Sequence, residues 1–459
     1  MLRSRGARWP SAKAPARWLA RLPGAGSRRY PVVSLNSGLL GTTRRDIMNL
    51  QHHGRWLAFS IIAAIIAGAV LAFYGSSWAQ WDFKVYYAAA ELHKHGISPY
   101  QSANFHFAAG ETILYYPYPP YTLFLFYPFT WFDIRTASAI YLTLQILALC
   151  ALIFVWVRTF NLSSHRMLFF VFVFFAFEGA VIGDLRSGNC CMFEQLIIAI
   201  AFYCYTEGKI GWFSAAIVVA ASLKLAPILL LGLLLTSGRK REVLYCVVFG
   251  MVFLLLLALT AAIWPHLFPD FIHAVGRLEG ERALLNPATW PLVCDIASAI
   301  QQAVGIQVPA GVKLLAFLLI VAAVISVSLC ALKRFARQDS PGGQLWRICL
   351  VCLAYGIIVP RFKNYTYILL VGPAFYVVMT SRLPSPRLLA CAILMMSTYR
   401  GYDTFGRVLE PFYWLTGEYY PLLLAWLLWG LCCYSMAVRT QGASFPDAQS
   451  AALPQADLK

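Results

Sequence analysis

Asp82 stands near the start of a segment in which acid, aromatic and small residues recur at helical spacing. The run is Trp81-Asp82-Phe83-Lys84-Val85-Tyr86-Tyr87-Ala88-Ala89-Ala90-Glu91-Leu92, followed by Gly96, Pro99-Tyr100 and Tyr115-Tyr116-Pro117-Tyr118-Pro119-Pro120. A carboxylate placed there can cap the first turn of a helix. In a partly desolvated pocket its pKa can instead climb toward the working range, and it then serves as a general base. Spacing leaves both open, just as Tyr86, Tyr118 and Trp81 suit interfacial anchors as well as a binding belt.

Arg361 and Lys363 lie on a short turn, Pro360-Arg361-Phe362-Lys363-Asn364-Tyr365, where fixed cations can hold a phosphate that gains charge as it leaves. Snorkelling at the interface is the plainer reading. Arg277 and Arg282 are weaker candidates, because Glu279 and Glu281 are close enough to neutralise them. Lys224 falls roughly 20 Å into an apolar run at 1.5 Å per residue. That depth predicts an internal pair with Glu178 or Asp184 more readily than contact with an outer phosphate. Glu178, Asp184, Arg186 and Glu194 flank Gly188-Asn189 and predict a self-neutralising cytoplasmic turn. Asn286-Pro287 offers an amide for sugar hydroxyls or a simple turn start. Asp403, Glu410 and Glu418 are further outer carboxylates without motif support.

The elements that must position these residues are membrane helices. Of 459 residues 60% are hydrophobic and only 12% charged, too little polar surface for a water-soluble particle. Continuous apolar runs such as Leu57 to Phe73 and Val243 to Ile263 exclude a β-barrel, whose strands alternate. The fold class is therefore all-α, a polytopic membrane helical bundle of about 10–12 transmembrane helices. Breaks and charges predict spans over 57–74, 121–132, 137–157, 167–183, 190–206, 211–236, 243–264, 312–332, 345–359, 365–380, 387–399 and 419–438.

Residues 1–56 carry +10 of the net charge of +17, which predicts a disordered cytoplasmic arm by the positive-inside rule. Binding of nucleic acid or anionic lipid is the sharper alternative for that arm, and Met48 is an alternative start. Residues 57–438 form the membrane domain and 439–459 a disordered tail. Counted from inside, this places Arg239-Lys240-Arg241, Lys333-Arg334, Arg337, Arg382 and Arg387 in the cytoplasm. The loops 75–120, 265–311 and 400–418 then face outward, beyond ATP and sugar nucleotides. Two places fit poorly: 121–132 is short for a crossing, and the basic Arg158 to Arg166 link falls outside. The cysteines sit mostly in apolar runs and read as packing residues, including the Cys349-Cys352 pair. No Walker A loop, Rossmann glycine motif, HExxH or outward DxD occurs, so neither a nucleotide nor a metal cofactor is expected.

The pattern Asp82-Phe83, Tyr86-Tyr87-Ala88-Ala89, Gly96, Pro99-Tyr100 and Tyr118-Pro119-Pro120 resembles glycosyltransferase family 87, from about Trp56 to about Thr380. Gly188-Asn189 stands where that family usually has Gly-Gln, and Lys224 with Pro227, Asn286-Pro287 and the 360–365 turn match more loosely. The resemblance implies a GT-C-like membrane hexosyltransferase using a polyprenyl-phosphate sugar, typically mannose. Its partners would be that donor, a glycolipid or glycan acceptor and membrane lipids, with no nucleic acid. Asp82 matches the family's catalytic aspartate. Arg361, Lys363, Tyr118, Asn286, Tyr86 and Lys224 are the candidate substrate-binding residues. One outward carboxylate suffices for inverting transfer, whereas a hydrolase wants two flanking the bond. The expected location is the plasma membrane, with the N-terminus cytoplasmic and the active site outside. A transporter or flippase of lipid-linked sugars or small solutes is the alternative; it predicts paired repeats with discontinuous helices.

Overall fold

The computed structural model describes residues 79–100, 116–277, 281–282, 285–335, 341–381 and 417–441. The chain divides into two units, 1–61 and 62–459, and every described residue belongs to the second. The basic arm, the expected spans 57–74 and 387–399, the alternative start Met48, the tail beyond 441, and Glu279, Asp403 and Glu410 lie outside the described residues.

Those residues form an all-α membrane bundle, with no strand among them. Its helices are α1 (Trp81–Lys94), α2 (Ile134–Thr159), α3 (Arg166–Ser187), α4 (Cys191–Thr206), α5 (Ile210–Leu223) and α6 (Lys240–Ile263). They continue as α7 (Leu267–Arg277), α8 (Thr289–Val304), α9 (Ala310–Phe335), α10 (Pro341–Ile358), α11 (Ile368–Thr380) and α12 (Tyr420–Gln441). Among the described residues, five helical stretches are long and apolar enough to cross a bilayer: Ile134–Thr159, Ser163–Ser187, Lys240–Ile263, Ala310–Lys333 and Tyr420–Val438. Helices α10 and α11 form the inner layer, with Ile348, Leu350, Ile368, Leu370 and Phe375 fully buried. α6 and α9 turn Leu244, Met251, Leu254, Leu315 and Leu319 outward, as suits a lipid-facing surface.

Local chemistry sets the boundaries. Asp133 caps α2, its carboxylate accepting from the N–H groups of Arg135 (3.1 Å) and Thr136 (3.2 Å). The expected span 211–236 is two pieces: α5, then a 3₁₀ helix over Ala226–Ser237, with Lys224 extended between them. Pro227 lacks the N–H a continuous helix needs, which favours a break just before it. α5 runs parallel to α6, since Gly211 faces Tyr245, and Val218 and Ala221 pack on Phe253. The 3₁₀ piece then returns toward the start of α6. Lys224 is thus the tip of a hairpin and not a mid-span residue.

The expected crossing 121–132 is absent. Pro120–Trp131 is instead a chain of short turns and a single helical turn, Leu123–Phe126. Removing that crossing reverses the intervening spans, and the hairpin at Lys224 restores the order beyond it. The consequence is that Gly188-Asn189, expected at a cytoplasmic turn, lies at the same end of the bundle as Asp82. The Arg158 to Arg166 link moves to the opposite end, where Phe160 and Trp346 meet Tyr376. Lys209, Arg239-Lys240-Arg241 and Lys333 belong to that opposite end too, so the basic links now agree.

Candidate active site

Asp82 is the second residue of α1, and its carboxylate does not cap the helix; the cap position is Gln80, in a left-handed conformation (φ 59°). Gln80 ties the start of α1 to the end of α3. Its N–H donates to the Arg186 carbonyl at 2.8 Å, and its side-chain amide donates to Leu185 (3.0 Å) and Gln145 (3.1 Å). Gln145, the one amide in the apolar middle of α2, donates in turn to the Asn189 carbonyl at 2.9 Å. Three segments distant in sequence are thereby fixed around one carboxylate.

Gly188 allows the approach. Its φ is +70°, and a Cβ there would lie 2.7 Å from Gln80 Oε1 and 2.9 Å from Phe83 Cβ. The Gly188→Ala substitution is expected to cost ~1–2 kcal/mol for the left-handed backbone alone, with more for pushing α1 away from α3. A lowered melting temperature together with reduced activity would bear this out. Unchanged melting would mean that α1 docks by other means.

The Asn189 side chain sits at the centre of the site. Its Nδ2 donates to Asp82 Oδ2 at 2.7 Å and lies 3.1 Å from the Tyr365 hydroxyl and 3.3 Å from that of Tyr118. Its Oδ1 accepts from Lys224 Nζ at 3.0 Å. Lys224 also pairs with Glu194 at 3.1 Å, in place of the expected Glu178 or Asp184, and lies 5.3 Å from the centre of the Tyr365 ring. Burial pushes the Asp82 carboxyl above the ordinary aspartate value; Lys363, the Asn189 hydrogen bond, Lys224 and Arg361 pull the other way.

Tyr118 and Tyr86 share a hydrogen bond of 2.8 Å. Burial raises both phenols well above their usual range, so they stay protonated. Tyr86 is only 1% exposed and acts by supporting Tyr118 rather than by facing open space. Its ring packs edge-on against those of Tyr116 and Tyr118 and tilted on that of Phe126.

The second half of the site is the 360–365 turn. Arg361 donates through Nε (3.0 Å) and Nη2 (2.8 Å) to Glu281 Oε2, and Lys363 Nζ lies 2.9 Å from Glu281 Oε1. Glu281 was expected to neutralise Arg277 and Arg282; it neutralises Arg361 and Lys363 instead, and Arg282 pairs with Asp295 at 3.3 Å. Burial lowers the Lys363 pKa, and Arg361 adds to this, against the pull of Glu281 and Asp82. Asn286, expected on sugar hydroxyls, is 3% exposed. Its Oδ1 accepts from the Phe362 N–H at 2.8 Å, so it shapes the turn that presents the cations.

The candidates Asp82, Tyr86, Tyr118, Lys224, Asn286, Arg361 and Lys363 thus gather at one end of the bundle, where α1, the Tyr118 loop, the Lys224 break and the Asn286 loop meet the 360–365 turn. Sequence reasoning missed Gln80, Gln145, Glu281 and Tyr365 as parts of the site. For Gln145 a signal existed, since a lone amide within an apolar membrane span is costly unless paired. Gln80 and Glu281 lie in loops where polar residues are ordinary.

A carboxylate held by an amide, with two cations on their own glutamate at the same end of an apolar helical bundle, suits a membrane enzyme of group transfer. Residues 116–357, more than half of the chain, match the model of glycosyltransferase family 87, and the chain belongs to that family. It is a membrane glycosyltransferase and not the transporter that the sequence left open. The match excludes Asp82 and the 360–365 turn, which nevertheless pack on the matched residues Asn189 and Lys224 through the contacts above. No curated protein matches the chain.

Proposed function

We propose that the protein transfers a hexose, mannose by the family resemblance, from a polyprenyl phosphate to a glycolipid or glycan acceptor on the extracytoplasmic face of the plasma membrane. The carrying observation is that Asp82 is held by the Asn189 amide, which also meets Tyr365 of the turn bearing Arg361 and Lys363, so that a proton acceptor and two phosphate-binding cations share one neighbourhood. The acceptor hydroxyl attacks the anomeric carbon while Asp82 takes its proton. The bond from that carbon to the phosphate oxygen breaks, and polyprenyl phosphate leaves with inversion. Arg361 and Lys363 hold the departing phosphate, where charge builds up in a low-dielectric setting and fixed cations count most. Tyr118 and Asn189 orient the base; Tyr86 and Asn286 support Tyr118 and the cationic turn. No metal is assigned a part in the reaction.

Sidedness rests on charge. The end away from Asp82 collects Arg158, Arg166, Lys209, Arg239, Lys240, Arg241 and Lys333 against the acids Glu207 and Glu242. At the site end, Lys224, Arg282, Arg361 and Lys363 are held in ion pairs with Glu194, Asp295 and Glu281. The positive-inside rule then assigns the basic end to the cytoplasm.

Glu281 occupies both cations, so a donor phosphate has to displace it. Glu281→Gln removes the competing charge, and a several-fold lower KM for the lipid donor is expected from steady-state kinetics. A higher KM would mean that Glu281 builds the phosphate site rather than blocking it. Transfer of labelled sugar from polyprenyl-phosphate mannose by the purified protein tests the assignment as a whole, and its absence with every lipid-phosphate sugar tried would refute it.

A further inference from the structure

We propose that Lys224 is a positioning residue of this site: it fixes the Asn189 amide so that Nδ2 holds the Asp82 carboxylate, and it does not contact substrate. The inference rests on the reading of Asp82 as the base. An amide can face either way, and its surroundings decide which. Oδ1 of Asn189 faces two groups that can only donate, the Lys224 ammonium at 3.0 Å and the Cys191 N–H at 3.0 Å. Rotating the amide would set its own N–H groups against both. Nδ2 is therefore committed to the side of Asp82, Tyr118 and Tyr365.

Lys224 is held in turn. Glu194, 2% exposed at its side chain, lies 3.1 Å from the ammonium, and the Tyr365 ring flanks it at 5.3 Å. The extended backbone at Lys224 (φ −139°, ψ 132°), between α5 and the 3₁₀ helix, puts the side chain at the hairpin tip where it reaches Asn189. The ammonium thus spends a hydrogen bond on Asn189 and its charge on Glu194 inside the protein. Charge passes along the same line: Lys224 acts on Asp82 directly and through the amide it orients. The other groups that face Asp82 are Lys363 and Arg361 from the 360–365 turn, Asp184 from α3, Tyr86 of α1 itself, Tyr141 of α2, Tyr118 and Tyr365.

The test is the pH profile of kcat for the full chain in lipid nanodiscs, with polyprenyl-phosphate mannose as donor. A base must be ionised, so activity falls as pH drops through its pKa. Loss of Lys224 favours the protonated carboxyl and moves this acid limb upward. Lys224→Met is expected to shift the limb by about one pH unit, while Lys224→Arg restores the wild-type position. Asn189→Leu should shift it in the same direction, and the Lys224→Met/Asn189→Leu pair should shift it by less than the sum of the two single changes. Because Lys224→Met strands the Glu194 carboxylate, Lys224→Met/Glu194→Gln is measured beside it and should show the same shift. An unmoved limb with a raised donor KM would make Lys224 a substrate ligand and overturn the proposal, as would fully additive shifts in the pair. Asp82→Asn in the same series separates the two readings. Its inactivity together with an unmoved limb in Lys224→Met defeats the positioning role alone, whereas its full activity defeats the base and the positioning role together.

Discussion

Asp82→Asn is expected to lower turnover by about 10²–10⁴-fold, the usual contribution of a positioned general base, while leaving donor binding intact. Asparagine keeps the shape of the side chain and can still meet the amide of Asn189 after rotation, so α1 should stay docked through Gln80 and Gly188. What is lost is the group that receives the acceptor's proton. The carboxyl is pushed up by burial, against the pull of Lys363, Asn189, Lys224 and Arg361. Wild-type activity should therefore decline on the acid side, below the raised pKa of this group, and Asp82→Asn should lose that limb along with the rate. Kinetics with saturating donor and a separate donor-binding titration distinguish the effects: an altered rate with unaltered binding is the expected pair. Wild-type turnover in the variant would remove Asp82 from the chemistry.

The second large effect is expected from the cationic turn. Replacing Arg361 and Lys363 together by glutamine should reduce kcat/KM for the lipid donor by about 10³-fold or more. One fixed electrostatic partner of a developing anion contributes about 10²–10³ in rate, and here two are lost. Their present partner, Glu281, would be left beside the phosphate position without neutralisation, which deepens the loss. Removing the glutamate charge as well should recover part of the activity of the double variant. Unchanged kcat/KM in the double variant would assign both residues to the membrane interface.

The helical membrane architecture was legible because apolar runs of bilayer length have few other uses. The candidate site was legible in pieces: residue type and spacing left Asp82, Tyr86, Tyr118, Arg361 and Lys363 open to plainer roles, and the family resemblance singled them out. Their assembly was not, and the reason is physical. A run apolar on every side has no periodic face to orient it, so direction has to be read from breaks and charges. The break at Lys224 looked like the interior of one long span, because the apolar residues continue through both arms of the hairpin. The segment 121–132 looked like a span for the same reason, although Pro120 and Pro128 shorten it to turns. The false span at 121–132 placed Gly188-Asn189 at the end away from Asp82 and concealed the contact between Asn189 and Asp82, and the missed hairpin hid the slip by restoring the order beyond it. α3 breaks unannounced too, at Ala176–Gly179, where Phe177 and Glu178 take positive φ and Phe177 stacks on Tyr367; only Gly179 hints at it in the sequence. Glu281 was misassigned because charge pairing was judged by nearness along the chain, and the turn that it neutralises lies eighty residues further on.

The most direct test of the account is transfer by the purified protein in nanodiscs, with a membrane lipid extract as acceptor, supplied in parallel with labelled polyprenyl-phosphate mannose and labelled nucleotide mannose. Transfer from the lipid donor only is predicted, with one polyprenyl phosphate released per sugar moved, and with loss of both signals in Asp82→Asn. Transfer from the nucleotide sugar, or undiminished release of polyprenyl phosphate by Asp82→Asn, would contradict it.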